Sequence, residues 1–188
     1  MAVYIPNKLW GGSIPYVIAD ENPDFAQNHI NAFNARVGKE VFVPRENESD
    51  YVEFQESSGH ATCKIGKQSG KQTLRYGRSD ASIFHEMGHC AGLGHENFHT
   101  GWPARSILID RKNNSLHAMA FQRNQSRYQN VTSYDRLSVM LYGSKSLGVS
   151  EEQFLEEAII KEQFVQNTVL SELDVIALRQ LYALVQDR

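Results

Sequence analysis

The stretch His85-Glu86-Met87-Gly88-His89-Cys90-Ala91-Gly92-Leu93-Gly94-His95-Glu96 decides how this 188-residue chain is read. Ser79 or Asp80 can cap a helix, and the segment Ala81 to Ala91 that follows reads as one, ended by Gly92 and Gly94. Side chains four apart on a helix share a face, one turn above the other. His85 and His89 can therefore hold one metal ion through two imidazole nitrogens, at the distance of about 2.0–2.1 Å usual for zinc. Glu86, one position round the helix, is near the metal without binding it, which suits a base that takes a proton from water. A glycine at 92 can adopt the positive φ that ends a helix sharply, so that the chain doubles back and brings His95 to the metal from another direction. Three neutral imidazoles leave a fourth position open for water, as a catalytic zinc site requires.

Working outward, Ser138-Val139-Met140-Leu141-Tyr142-Gly143 lies 45 residues beyond His95 (140 minus 95) and fits the methionine-bearing turn that accompanies the extended histidine string in the metzincins. Upstream, Ile14 to Ile18, Glu40 to Pro44, Tyr51 to Phe54 and Thr73 to Tyr76 read as strands. Asn22-Pro23-Asp24 opens a helix that buries Phe25, Ile30, Phe33 and Val37 and stops at Gly38. Gly59 to Gly70 reads as a loop, Glu96 to Thr132 as polar and irregular, and Glu151 to Phe164 and Ser171 to Val185 as helices. Ser171 with Asp174 forms a capping pair for the last helix, whose expected apolar stripe is Leu173, Ile176, Ala177, Leu181 and Leu184. Strands first and helices afterwards predict an α+β chain.

Composition narrows the function classes. Hydrophobic residues at 41% and charged residues at 22% are those of a globular protein able to build a core. With a net charge of -3 and 19 Lys+Arg that form no run, the footprint of a general nucleic-acid binder is missing. No apolar stretch approaches the roughly 20 residues that span a bilayer. A monomer with no nucleic-acid partner and no membrane span is the expected association behaviour.

With these residues in hand, the chain resembles the astacin family of zinc metallopeptidases. The likeness extends to Leu9-Trp10-Gly11-Gly12 with Ile14-Pro15-Tyr16, to Phe42-Val43-Pro44-Arg45 and Ser49-Asp50-Tyr51-Val52, and to Leu170-Ser171 through Leu181-Tyr182. It implies a zincin-like α+β catalytic domain spanning 1–188. The expected lobes are about 1–95, with a twisted mixed sheet and the zinc-binding helix, and about 96–188, less regular. One zinc ion per chain would be bound by His85, His89 and His95, with Glu86 as general acid/base in peptide-bond hydrolysis of a protein or peptide substrate. The family implies Met140 as a hydrophobic floor under the metal. Tyr142 is implied as a further ligand through its phenol, able to swing away and stabilise the oxyanion. Glu96 resembles the residue that, in processed enzymes, is linked to the new N-terminus. Trp10 stands about as far from the start as in processed members, which puts Met1 near the mature boundary.

Two departures stand out. Leu141 replaces the histidine that usually precedes the tyrosine, and the usual disulfides are not matched, since Cys63 is displaced and Cys90 lies on the zinc helix. Cys90 is expected to be a small buried hydrophobe and no disulfide is expected. Export by a bacterium follows as the favoured setting, with a reducing compartment such as a host cytosol as the alternative. His29, His60, His99 and His117 are expected outside the ligand set, His99 being the one near enough to line the cleft. Arg105, Arg111, Arg123, Arg127 and Arg136 are read as surface, and the sequons at Asn47, Asn113, Asn124 and Asn130 carry no weight. Two rival readings are another metzincin clan with a turn tyrosine, and a silent module that keeps zinc for structure. The missing calcium repeats and Glu96 oppose the first; Glu86 and the open fourth position oppose the second.

Overall fold

A computed structural model describes residues 2–102, 122, 125–142 and 167–186. Its element order is β1 (Val3–Tyr4), β2 (Ile14–Ile18), α1 (Asp24–Val37), β3 (Phe42–Pro44), β4 (Tyr51–Glu56), β5 (Lys71–Tyr76), α2 (Asp80–Cys90), β6 (Gln129–Asn130) and α3 (Glu172–Gln186). This is the α+β arrangement expected of the chain. Strand positions agree with the sequence reading to within two residues at each boundary. The expected helix at Glu151 to Phe164 and residues 103–121 of the irregular stretch lie outside the described residues.

Four strands form one sheet in the order β3-β2-β4-β5, every pairing parallel. The sheet becomes mixed at its β5 edge, where Thr62 bridges Arg75 antiparallel with hydrogen bonds of 2.9 and 3.0 Å. Pro15 sits in an interior strand without breaking it. Pairing of β2 with β4 starts only at Tyr16, so the missing N–H of Pro15 faces no partner. On one side α1 buries Ala26, Ile30, Phe33 and Val37. Phe33 meets Phe42 edge to face at 5.3 Å, and Phe42 meets Phe54 at 5.7 Å, which ties α1 to the sheet through β3 and β4. Phe25 is only half-buried, at the edge of that face. Asn22 Oδ1 accepts from the Asp24 amide at 3.3 Å, although the cap position itself falls on Pro23.

The last helix departs from its expected stripe. Val175, Ala177, Leu178, Leu181 and Tyr182 are buried, while Ile176 is 40% exposed and Leu173 half-buried. The helix is rotated from the expected face because its first turn brings Asp174 inward at 1% exposure, to meet partners described below. The capping pair is present in both directions. The Asp174 amide donates to Ser171 Oγ at 2.9 Å, and the Ser171 amide donates to Asp174 Oδ2 at 3.1 Å. Among the described residues no helix is long and apolar enough to cross a membrane, and both cysteines are free thiols.

Candidate metal centre

Helix α2 starts where the sequence places it. Ser79 is extended and its hydroxyl accepts from the Ser82 amide. From Ile83 to Cys90 every residue is buried, so the helix has no solvent face on which His85, Glu86 and His89 could be idle polar decoration. Burial of three such groups is costly unless they are bound to something. At the C-terminal end Gly92 takes φ 112° and reverses the chain, with the Leu93 amide donating to the Gly88 carbonyl at 2.9 Å. The return passes beside β1, with an isolated bridge between Tyr4 and Leu93, and delivers His95 back to the helix.

Ligand atoms of His85, His89 and His95 all lie within 4.8 Å of one another. The Nε2 atoms of His89 and His95 are 2.9 Å apart, close to the roughly 3.3 Å separating two nitrogens on one tetrahedral zinc. Two tautomers are set by the backbone. His85 Nδ1 lies 2.8 Å from the Val139 carbonyl and His89 Nδ1 2.8 Å from the Leu93 carbonyl, so each Nδ1–H donates and each Nε2 keeps its lone pair. A trio of imidazoles, two buried and one half-buried, with converging ligand atoms fits zinc.

Glu86 is 4% exposed beside this trio, and among the described residues its Oε2 has no hydrogen-bond partner. Burial pushes its carboxyl up to about 8, against the pull of the nearby Cys63 amide. A cation in the trio would act in the opposite sense and favour the carboxylate. The Tyr142 ring lies 4.3 Å from that of His95 and 4.9 Å from that of His85. Burial first, and then the Glu86 charge, hold its phenol protonated far into the alkaline range.

Met140 is fully buried under α2. A Cβ on Gly88 would stand 2.5 Å from Met140 Sδ, so the thioether reaches the helix only because residue 88 has no side chain. The Met140 carbonyl accepts from the Glu96 amide at 3.0 Å, joining the turn to the end of the histidine string. Glu96 is buried at 0% exposure, with Oε1 accepting from the Asp135 amide at 2.8 Å. Burial pushes it up to about 8 as well. Met1, the partner implied for Glu96, lies outside the described residues. Next to it in the chain, the Ala2 amide donates to Thr132 Oγ1 at 2.8 Å.

Supporting roles at the site escaped the sequence reading, which had Asp174 only as a helix cap. Asn97 clamps the backbone of Tyr142, accepting from its amide at 2.7 Å and donating to its carbonyl at 3.1 Å. Asp174 accepts from Ser138 Oγ at 2.6 Å and from the Val139 amide at 3.1 Å, and so holds the carbonyl-bearing turn on which His85 rests. Asp135 joins the same web through Ser171. Polar type in an irregular stretch was the one available signal, and it does not tell a buried acceptor from a solvated one. Of the other histidines, His99 is buried with Nδ1 accepting from the Gly101 amide at 2.6 Å, and His29 bonds the Phe25 carbonyl and Asp80. His60, Arg127 and Arg136 are exposed. His117, Arg105, Arg111 and Arg123 lie outside the described residues.

Against known proteins, residues 2–183 match the model of the Astacin peptidase family. Astacin-like metalloprotease toxin 1 of Loxosceles intermedia is 27% identical over 197 residues, covering 96% of this chain and 74% of the toxin. Meprin A subunit alpha of Rattus norvegicus is 31% identical over 158 residues, 78% of this chain but 20% of the meprin subunit. In fold, the chain is similar to high choriolytic enzyme 1, a hatching enzyme zinc-protease of the medaka fish Oryzias latipes. That likeness has a TM-score of 0.64 at 23% identity and covers 94% of this chain and 95% of the enzyme.

Proposed function

This chain belongs to the astacin family and is a zinc metalloendopeptidase, and from that premise we propose how its own residues divide the work. Bound zinc supplies Lewis-acid chemistry and makes water a competent nucleophile near neutral pH. His85, His89 and His95 hold the ion through Nε2, their orientation fixed by the Val139 and Leu93 carbonyls in the first two cases. Glu86 takes a proton from the attacking water on Oε2, which no described residue bonds, and returns it to the leaving amine. Tyr142 stays protonated and beside His85 and His95, so its O–H can ligate or donate to the peptide oxygen as that oxygen takes on charge.

The substrate form is an extended peptide lying along the Thr62–Lys64 edge of the sheet, where the Cys63 amide already lies near Glu86. Two lobes meeting near His95, about 1–95 and 96–188, would form the walls of the cleft, and the working unit is a monomer.

One observation carries this reading: three imidazole donors converge within 4.8 Å, with a buried carboxylate beside them. The test is Glu86→Gln. The variant is expected to keep one zinc per chain and lose casein cleavage by at least about 100-fold, within the range general acid–base catalysis contributes. A zinc-loaded Glu86→Gln protein that cleaves casein at the wild-type rate would remove Glu86 from the role.

A further inference from the structure

The chemistry above uses neither cysteine, yet the fold brings Cys63 and Cys90 together across 27 positions of sequence (90 minus 63). The segment from Thr62 to Gly66 runs along α2. Its Gly66 amide donates to the His89 carbonyl at 2.8 Å, and its Cys63 amide is near enough to Glu86 to favour the carboxylate. Cys90 lies one turn beyond Glu86 on the same helix face, and so beneath that segment. The Gln72 side-chain amide is 3.9 Å from the sulfur of each cysteine, so one donor brings the two thiols to the same spot. Gln72 is itself anchored, donating to the Gly66 carbonyl at 3.2 Å and accepting from the Gln68 amide at 2.9 Å, so a change at the sulfurs does not cost it its place.

Access is unequal. Cys90 is fully buried, whereas Cys63 is half-buried and lines a surface hollow of about 370 Å³ with Thr62, Lys64, Gln68 and Gln72. One reachable sulfur with a second behind it is the order in which an attacking thiol and a resolving thiol are placed.

We propose that Cys63 and Cys90 form an intramolecular disulfide under oxidising conditions, one that staples the cleft-side segment Thr62–Gly66 to the helix carrying His85, Glu86 and His89. The oxidant is a low-molecular-weight disulfide such as oxidised glutathione. Cys63 attacks it, so that a Cys63–glutathione S–S bond forms as the glutathione S–S bond breaks and one glutathione thiol leaves. Cys90 then attacks Cys63 Sγ, the protein S–S bond forms, and the second glutathione thiol leaves. Two electrons and two protons pass from the protein dithiol to the oxidant. The bond closes a loop that the unfolded chain would otherwise sample freely, and it fixes the segment that runs beside Glu86. None of this depends on peptide hydrolysis, so it stands or falls separately from the function proposed above.

The experiment uses the full chain, zinc-loaded and fully reduced, then incubated with oxidised glutathione. Expected are a mass lower by two hydrogens, a Cys63–Cys90 cross-linked peptide in a non-reducing digest and no titratable thiol in denaturant. Tm should rise by about 5 °C or more, reversibly with dithiothreitol. Zinc content, measured in parallel, is expected to stay constant, which separates the shift in melting from any change in metal loading. Cys63→Ser and Cys90→Ser should show neither the cross-link nor the rise. Two titratable thiols after oxidation, a lasting glutathione adduct on Cys63, a Cys63–Cys63 dimer, or a cross-link without a gain in Tm would each overturn the proposal.

Discussion

Asp174 and Ser138 share a buried hydrogen bond of 2.6 Å across 36 residues of sequence. Through it the first turn of α3 holds the turn whose Val139 carbonyl orients His85. The carboxylate that caps its own helix thus reaches the metal centre through a short chain of contacts: Asp174, the Ser138–Val139 turn, and His85.

Removing that carboxylate should be expensive. Asp174→Ala leaves Ser138 Oγ–H and the Val139 and Ser171 amides short of an acceptor in a dry site, and the expected loss is about 3 kcal/mol in chemical denaturation. A loss under about 0.5 kcal/mol would show that water replaces the carboxylate.

The same group gives a pH signature. Burial, against the pull of its three donors, raises the Asp174 carboxyl from 3.8 to about 6. The folded state therefore holds this proton more tightly than the unfolded chain. Its contribution to stability is fully present below about pH 3.8 and is lost as pH rises through about 6. Wild-type stability minus that of Asp174→Asn, measured with chelator throughout, should fall by about 3 kcal/mol between pH 4 and pH 6.5 and then level off. A difference curve that rises with pH would contradict the assignment.

Contact between Gly88 and Met140 predicts a non-additive pair. Gly88→Ala improves helix propensity by about 1 kcal/mol but drives a methyl into Met140 Sδ, and a net loss of about 1–2 kcal/mol is expected. In the Met140→Ala background the same change should cost nothing or stabilise. The readout is the coupling energy of the double-mutant cycle; equal costs in both backgrounds would place the clash elsewhere.

Tyr142→Phe should retain zinc and lower kcat on a fluorogenic peptide by about 10²–10³ with little change in KM, the effect of losing one donor to the developing oxyanion. Asn97→Ala releases the Tyr142 backbone and should move kcat in the same direction by a smaller factor, about tenfold. Unchanged kcat in Tyr142→Phe would take the phenol out of the chemistry.

Chelation should remove both activity and stability. With 1,10-phenanthroline in excess, casein cleavage is expected to stop and Tm to fall, because zinc bound to the native state alone stabilises by mass action. Both should return when zinc is restored. Activity that persists in the metal-free protein would rule out the zinc mechanism.

Sequence spacing and local capping determined the catalytic helix, the turn at Gly92, the histidine set and the Ser171–Asp174 cap. Each of these is decided by residues within a few positions of one another, where helix periodicity and backbone hydrogen bonding are short-range rules. The family likeness extended that reading to Met140 and Tyr142 and to the role of Glu86. Only the tertiary structure decided which polar residues of the irregular stretches turn inward. Asn97 on Tyr142, Asp174 on Ser138, His85 on Val139 and Cys63 on Cys90 are pairs separated by 27 to 54 positions. Local pattern marks several of these residues singly but none of the pairings, because a buried acceptor and a solvated one have the same residue type until the chain closes around them. Ile176 makes the same point from the apolar side: periodicity put it in the stripe, and the inward pull of Asp174 turned it out.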